Sequence, residues 1–292
     1  MSPAAPRGPR QPPMERVRAA FAARAGSETA ARIPAGYVRL GRVVLVRWPA
    51  ALRPHFSFLA GELASVLGAE TVLRVAGPVD GELRTPRVEL LFGETTETEV
   101  VEHGIRWRFD AARLMFAAGN RTERERAGRL VHPGQKVVDL FAGIGYFAIP
   151  AARLGGAARV VAVDRNPVAV AYLEENARLN RVADRVEPLV GDNRTVPLPT
   201  GEADHVFLGY LPSALPWVER AVPLLARAGG DLHVHTVADS RGAVAAAEGQ
   251  VERAVEAAGG TLLGRPRGRE VKPYGPGRTH VVVDVRVRPG RC

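Results

Sequence analysis

From Val137 onward the chain alternates short apolar runs with helix-like segments joined by links of a few residues, and this rhythm constrains the fold more than any other feature. Parallel strands cannot be joined by a tight turn; they need a crossover, and a helix supplies it. Val137–Phe141, Arg159–Asp164, Val186–Val190, Ala203–Gly209 and Asp231–Val237 read as strands. Helices are expected through Leu154, over Pro167–Asn180 with proline in the first turn, near Pro216–Ala226 and over Gly242–Ala258. Thr261–Gly264 and His280–Val287 fit a closing antiparallel pair. The expected fold is α/β, a mostly parallel sheet covered by helices.

The preceding residues have a different texture. Pro3, Pro6, Pro9, Pro12 and Pro13 forbid a helix at the start, so residues 1–33 are read as a flexible Pro/Arg-rich tail, with room for a short helix from about Glu15 to Ala25. From Gly36 come a strand through Val38, Leu40, Val43, Leu45 and Val46, the amphipathic helix Phe56–Leu67, and strands at Thr71–Val75 and Arg87–Phe92. Thr98–Glu102 and Ile105–Phe109 form a further pair across the turn signal His103-Gly104. The expected domains are the tail, a small α+β module over 34–110, and the sheet domain over 111–292. Arg121–Val131 opens the last as a helix rich in Arg and Glu.

Composition narrows the class. The single cysteine, Cys292, rules out an intramolecular disulfide and a Cys-rich metal site. No apolar run is long enough to cross a bilayer, and no apolar core follows Arg7 and Arg10 as in a secretory leader, so the cytoplasm is expected. The net charge of +9 suggests nucleic acid at first sight, but the excess sits in residues 1–35 and 241–292 while the middle is neutral. Only Lys136 and Lys272 are lysines. With abundant Ala, Gly, Val and Pro, that arginine bias looks like translation of a GC-rich, bacterial genome.

The chemistry concentrates in Val137-Val-Asp-Leu-Phe-Ala-Gly-Ile-Gly-Tyr146. A strand ends in Asp139, and Gly143 and Gly145 let the backbone approach a ligand before a helix begins. Alone this is weak, since glycine turns after strands are common, and Ala148 leaves the dinucleotide pattern G-x-G-x-x-G incomplete. Asp164 adds a carboxylate at the end of the second strand, placed to accept from ribose hydroxyls, and Asp192-Asn193 adds an acid–amide pair suited to an adenine edge. Polar sites at the carboxyl ends of three consecutive parallel strands face one crevice. Such is the build of the class I, Rossmann-like enzymes that use S-adenosylmethionine (SAM). Asp139, Phe141, Gly143, Gly145, Asp164, Asp192 and Asn193 are therefore the expected SAM-binding residues, with SAM as co-substrate and no metal.

Further motifs run in order along the chain: Met115-Phe-Ala-Ala-Gly-Asn-Arg-Thr-Glu-Arg124, Gly191-Asp-Asn-Arg194, Leu208-Gly-Tyr-Leu-Pro212, His233-Val-His-Thr236 and Tyr274-Gly-Pro-Gly-x-x-His280. With the glycine motif they resemble the 3-amino-3-carboxypropyl transferases of wybutosine synthesis, sisters of the tRNA guanine N1-methyltransferases, from about Gly36 to Val287. The resemblance implies transfer of the four-carbon arm of SAM with release of methylthioadenosine. It places ligand contacts on Arg124, Asp164, Asp192 and Asn193, with Arg124 clamping the methionyl carboxylate. Ala117 stands where that family usually has serine, so one hydroxyl contact is missing. Gly209-Tyr-Leu-Pro212 lacks the polar side chain that the sister methyltransferases carry there, which sides with aminocarboxypropyl transfer.

A protonated nucleophile needs a base. Tyr210, His233 and His235 are the candidates, with His280 behind them, although hydrogen-bonded structural histidines fit the same spacing. The acceptor is expected to be a small natural-product phenol, as in nocardicin-type antibiotic biosynthesis by isonocardicin synthase, ahead of a modified guanine in tRNA. Two grounds support that order: the bacterial composition, and no sign of the family's extra tRNA-gripping domain. An ordinary SAM methyltransferase and a non-catalytic RNA-binding module are the rival readings.

Overall fold

The computed structural model describes residues 11–290, and the chain divides into two units. One holds the residues up to Val100 together with Arg108–Phe116; the other holds Val101–Trp107 together with the residues from Ala117 on.

The first unit begins with helices α1 (Pro13–Ala25) and α2 (Ser27–Ala31). Residues 13–31, expected to lie in a flexible tail, are thus helical; residues 1–10 of that tail lie outside the described residues. The reason is local. Met14, Val17 and Phe21 recur at helical spacing and are buried, and Pro13 sits in the first turn, where a missing N–H costs nothing. Strands β1 (Tyr37–Leu40) and β2 (Val43–Val46) form a hairpin, helix α3 (Phe56–Leu67) crosses over, and β3 (Thr71–Val75) returns parallel to β2. Strand β4 (Val88–Phe92) closes the sheet in the order β1-β2-β3-β4. Phe21, Ile33, Val44, Trp48, Leu59, Leu63 and Val72 fill the core between helices and sheet.

Strands β5 (Glu97–Glu102) and β6 (Ile105–Asp110) pair as expected. His103 and Gly104 both have positive φ, the geometry of the two-residue turn that suits a twisted hairpin. The tip of this hairpin belongs to the second unit, and Asn180 holds it there. The Asn180 Oδ1 accepts from the Arg106 amide at 2.9 Å, and Nδ2 donates to the Arg106 carbonyl at 2.7 Å and the Asn176 carbonyl at 2.8 Å.

The second unit continues with α4 (Arg121–Leu130), β7 (Lys136–Asp139), α5 (Ala148–Arg153), β8 (Arg159–Asp164), α6 (Pro167–Leu179), β9 (Val186–Val190), β10 (His205–Leu208), α7 (Val218–Ala221), β11 (Gly230–Asp239), α8 (Ala243–Ala257), β12 (Thr261–Leu262), β13 (Arg267–Gly275) and β14 (Arg278–Arg288). The sheet runs β12-β14-β11-β10-β7-β8-β9, with β13 paired on β14. β11, β10, β7, β8 and β9 are parallel, and β14 is antiparallel to β11. The expected pairing of the last two strands is present, since β12 lies antiparallel on β14. Strand β13 replaces what reads as a loop: its side chains are mostly charged, so it carries no apolar alternation.

The chain runs outward from β7 through β8 to β9, then crosses back to β10 on the other side of β7. A crevice opens at such a switch point, outside the carboxyl ends of the strands. Leu140, Val163, Leu208, Val234, Val251 and Val283 belong to the buried core that fixes those strand ends. Helix α6 starts cleanly after β8 because Asn166 caps it, accepting from the Val168 amide at 3.0 Å, and Pro167 follows at the first helical position. Among the described residues no helix is long and apolar enough to cross a membrane.

Replacing Asn180 with alanine removes its two hydrogen bonds to the Arg106 backbone and the one to the Asn176 carbonyl. Urea unfolding of the Asn180→Ala variant is expected to show a loss of about 1–3 kcal/mol; an unchanged midpoint would mean that the hairpin tip is held by something else.

Candidate active site

Asp139 ends β7 fully buried, with Oδ1 accepting from the Phe141 amide at 3.1 Å. Burial pushes its carboxyl up to about 7; the Phe141 amide opposes the rise, Asp164 adds to it, and the Ala148 and Phe147 amides oppose it. The loop beyond turns on its glycines. Gly143 has φ 54°, and a Cβ there would lie 2.8 Å from the Tyr146 ring. Gly145 has φ 103°, and a Cβ would lie 2.5 Å from Ile149 and 2.7 Å from Leu173. Both positions demand glycine.

Asp164, at the end of β8, ties this loop to its neighbour. Its Oδ2 accepts from the Gly143 amide at 2.7 Å and its Oδ1 from the Asn166 amide at 2.9 Å. Burial raises its pKa, and the Asn166, Gly143 and Arg165 amides hold that rise back. Each oxygen keeps lone-pair capacity for a ligand hydroxyl. After β9, Asp192 Oδ1 accepts from the Arg194 amide at 2.9 Å, and Asn193 Nδ2 donates to the Leu140 carbonyl at 2.6 Å. Asn193 therefore pins the β9 loop to the end of β7.

After β10, the Tyr210 ring stacks on Phe141 at 5.1 Å between centroids, and both meet Trp217, with the Arg194 guanidinium over the Trp217 ring at 4.6 Å. The position expected to lack a polar side chain is Gly209, and the structure supplies a reason. A Cβ there would fall 2.6 Å from the Phe147 ring, which occupies the space.

Arg124 is almost completely buried, far from the solvated charge that its Arg-rich surroundings suggest. Its Nε and Nη2 donate to Glu102 Oε2 at 2.9 and 2.6 Å, and its Nη1 donates to the Ala117 carbonyl at 3.0 Å. The guanidinium lies 5.7 Å from the Tyr146 ring centroid. Tyr146 is itself pushed up by burial, with Arg124 lowering it and Asp164 and Glu102 raising it. Contacts thus link Asp164 to Gly143, Gly143 to Tyr146 and Tyr146 to Arg124.

The histidines do not converge on an open site. His233 and His235 both lie on β11, between β10 and β14 inside the sheet, and are buried with His205 and His280. Gln135 Oε1 accepts from the His132 amide at 2.7 Å, so His205 Nε2 donates to it at 3.0 Å. His205 Nδ1 shares a bond of 3.0 Å with His233 Nε2, and His233 Nδ1 lies 2.7 Å from the Asp284 carboxylate. Arg126 joins Asp284 to Glu123, and Arg269 also pairs with Glu123. Burial raises the Asp284 pKa, but the hydrogen bond and charge of His233, with Arg126, win and hold it low. His235 and His280 share a bond of 2.8 Å. The sequence did not mark Glu102, His205 or Asp284, because each finds its partner far away in the chain.

Comparison with known proteins follows the geometry. The family described as the TRM5/TYW2 methyltransferase domain matches residues 98–262, and the TYW2 N-terminal domain matches residues 17–96. The tRNA(Phe) (4-demethylwyosine(37)-C(7)) aminocarboxypropyltransferase of Pyrococcus horikoshii is 34% identical over 274 residues, 93% of this chain and 96% of that protein. The crystal structure of P. horikoshii TYW2 in complex with MeSAdo superposes with a TM-score of 0.81 at 31% identity, covering 94% of this chain and 99% of that one. That of M. jannaschii TYW2 in complex with AdoMet gives 0.71 at 29%, covering 87% and 100%. The class I, Rossmann-like fold and a SAM-type donor agree with expectation.

The expected acceptor does not. A small natural-product phenol, and with it a role in antibiotic biosynthesis, is overturned by relatives named for tRNA that match nearly end to end. Both grounds for it fail. Arginine bias reports codon usage, not ligand, and an aligned tRNA enzyme itself has little length outside the match.

The buried histidines make stability depend on acid. Burial, first of all, pushes His205, His235 and His280 down to about 3, helped by His233, Arg126 and His235 respectively. Below the ordinary value of 6.5 the unfolded chain takes up protons that these rings refuse, so stability falls as pH falls from about 6.5 towards about 3. Each ring contributes up to about 1.4 kcal/mol per pH unit. Urea midpoints measured at pH 7.5 and 5 should drop clearly; equal midpoints would contradict the neutral burial of these rings.

Proposed function

The chain belongs to the TRM5/TYW2 methyltransferase family, and from that premise we propose that it transfers the 3-amino-3-carboxypropyl arm of SAM to tRNA, releasing methylthioadenosine. The acceptor we propose is the one in the relative's name, C7 of 4-demethylwyosine at position 37 of tRNA(Phe). The match along most of the chain, 17–96 and 98–262 together with 34% identity over 274 residues, is the observation that carries this reading. A tRNA acceptor also fits the cytoplasmic location expected from the sequence.

Bound SAM supplies a sulfonium that makes each of its three attached carbons electrophilic. Transfer forms a bond from the acceptor carbon to the terminal carbon of the arm and breaks that carbon's bond to sulfur. The electron pair stays on sulfur, methylthioadenosine leaves neutral, and the acceptor carbon gives up its proton. Positioning alone selects which of the three carbons is attacked.

In this reading Asp164 accepts from the ribose hydroxyls, already oriented by the Gly143 and Asn166 amides. Gly143 and Gly145 let the loop take its turn against Tyr146, Ile149 and Leu173, and Asp139 holds that loop through the Phe141 amide. Asp192 and Asn193 present the adenine edge. Arg124, fixed by Glu102, stands at the methionyl end. Tyr210 and Phe141 offer a stacked aromatic wall beside the transfer point, and Phe147 keeps the Gly209 position free of a polar group. His233 and His235, enclosed in the sheet, serve as structural groups rather than as the base.

Incubation with tRNA bearing the precursor base and SAM labelled on either carbon distinguishes the reactions. Carboxyl label is expected in tRNA with methylthioadenosine released; methyl label in tRNA with S-adenosylhomocysteine released would refute the proposal. Asp164→Ala is expected to weaken SAM binding by about 1–3 kcal/mol in calorimetry. An unaltered Kd would remove Asp164 from the ribose site.

A further inference from the structure

Lys272 approaches the same short segment as Arg124, residues 117–119. Lys272 is one of only two lysines in the chain, and it lies on β13 opposite His280 of β14. It is half-buried, yet among the described residues its ammonium has no ion pair and no hydrogen bond. The arginines buried or half-buried nearby differ: Arg124 is paired with Glu102, and Arg126 and Arg269 with Glu123.

The side chain is directed onto one short segment. A Cβ on Gly119 would lie 3.3 Å from Lys272 Nζ and 3.4 Å from its Cδ, so glycine leaves the room that the lysine stem occupies. Two residues earlier, the Ala117 carbonyl accepts from Arg124 Nη1. Lys272 and Arg124 therefore approach the same segment, and Ala117 offers no polar side chain between them. Burial first, and then the Arg124 charge, lower the Lys272 pKa, as expected of a cation left without a counter-ion beside another. Two cations thus face one short segment, and Glu102 pairs with Arg124, so the charge there is net positive and suits an anionic group.

We propose that Lys272, beside Arg124, binds the carboxylate of the arm that is transferred. The inference rests on the aminocarboxypropyl reading given above and adds the residue that grips the end of the arm. The contacts that link Asp164, Gly143, Tyr146, Arg124 and the 117–119 segment lead from the proposed ribose site to Lys272. A ligand held by its ribose hydroxyls at one end and its carboxylate at the other is stretched between two fixed points. Lysine also tells the two charges of the amino-acid head apart, since it attracts the carboxylate and repels the ammonium. That choice fixes the rotation of the arm and so the carbon presented to the acceptor. The ammonium is a point charge that suits a single carboxylate oxygen.

Calorimetry on the full chain tests the assignment with three probes: SAM, decarboxylated SAM and methylthioadenosine. For Lys272→Met, SAM is expected to bind about 10- to 100-fold more weakly, the range for losing a hydrogen bond to a charged group. Methylthioadenosine, which has no carboxylate, is expected to bind unchanged, which also reports that the variant is folded. The wild-type preference for SAM over its decarboxylated form should disappear in the variant, and Lys272→Arg should restore part of it. Unchanged SAM binding by Lys272→Met would overturn the assignment, as would equal losses of SAM and methylthioadenosine, or a loss confined to tRNA binding. Those results leave the wild-type transfer reaction standing. A wild-type chain that binds neither SAM nor methylthioadenosine would instead overturn the aminocarboxypropyl reading itself.

Discussion

Asp164 holds two pieces of backbone with one carboxylate, and the rest of the crevice is arranged around that bond pair. Its Oδ2 takes the Gly143 amide from the loop after β7, and its Oδ1 takes the Asn166 amide at the start of α6. The bond to Gly143 is possible only because that residue turns with positive φ and carries no side chain. The bond to Asn166 places the cap that starts the helix. A single charged side chain therefore sets the loop, begins the helix and presents oxygens to the crevice. Local sequence, strand ends and ligand chemistry meet at one residue.

The far side of the same sheet depends on a different economy of charge. Glu123 and Arg124 are neighbours on α4, yet they face different partners: Glu123 pairs with Arg126 and Arg269, and Arg124 with Glu102. Through Asp284 the Glu123 set continues into His233, His205 and Gln135. Buried ions of this kind contribute less to stability than their number suggests, because desolvation offsets much of the attraction. Their benefit is geometric. They fix α4 against β11 and β14, and with it the side of the crevice that Arg124 and Lys272 close.

Legibility followed distance along the chain. The strand–glycine–helix segment from Val137 to Tyr146 and the Asp164 strand end are local patterns, and each could be read from residues a few places apart. Glu102 was invisible because it meets Arg124 across 22 residues, and Asp284 because it meets His233 across 51. Strand β13 was hidden by its own charge: Arg267, Arg269, Glu270 and Lys272 read as a solvated loop, and only pairing with β14 makes them a strand. Helix α1 matches the short helix read from about Glu15 to Ala25, but prolines obscured its packing, which Met14, Val17 and Phe21 carry. The acceptor was misjudged for another reason, since arginine bias and domain count do not describe the surface a substrate meets.

The central claim is that the donor is stretched along one wall, ribose at Asp164 and carboxylate at Lys272, so that the arm rather than the methyl group is offered for attack. A crystal structure of the chain with SAM tests it most directly. The account predicts ribose hydroxyls within hydrogen-bond distance of the Asp164 carboxylate, with the arm running past Tyr146 towards Lys272. A nucleoside bound away from Asp164, or an arm folded back with its carboxylate remote from Lys272, would contradict it.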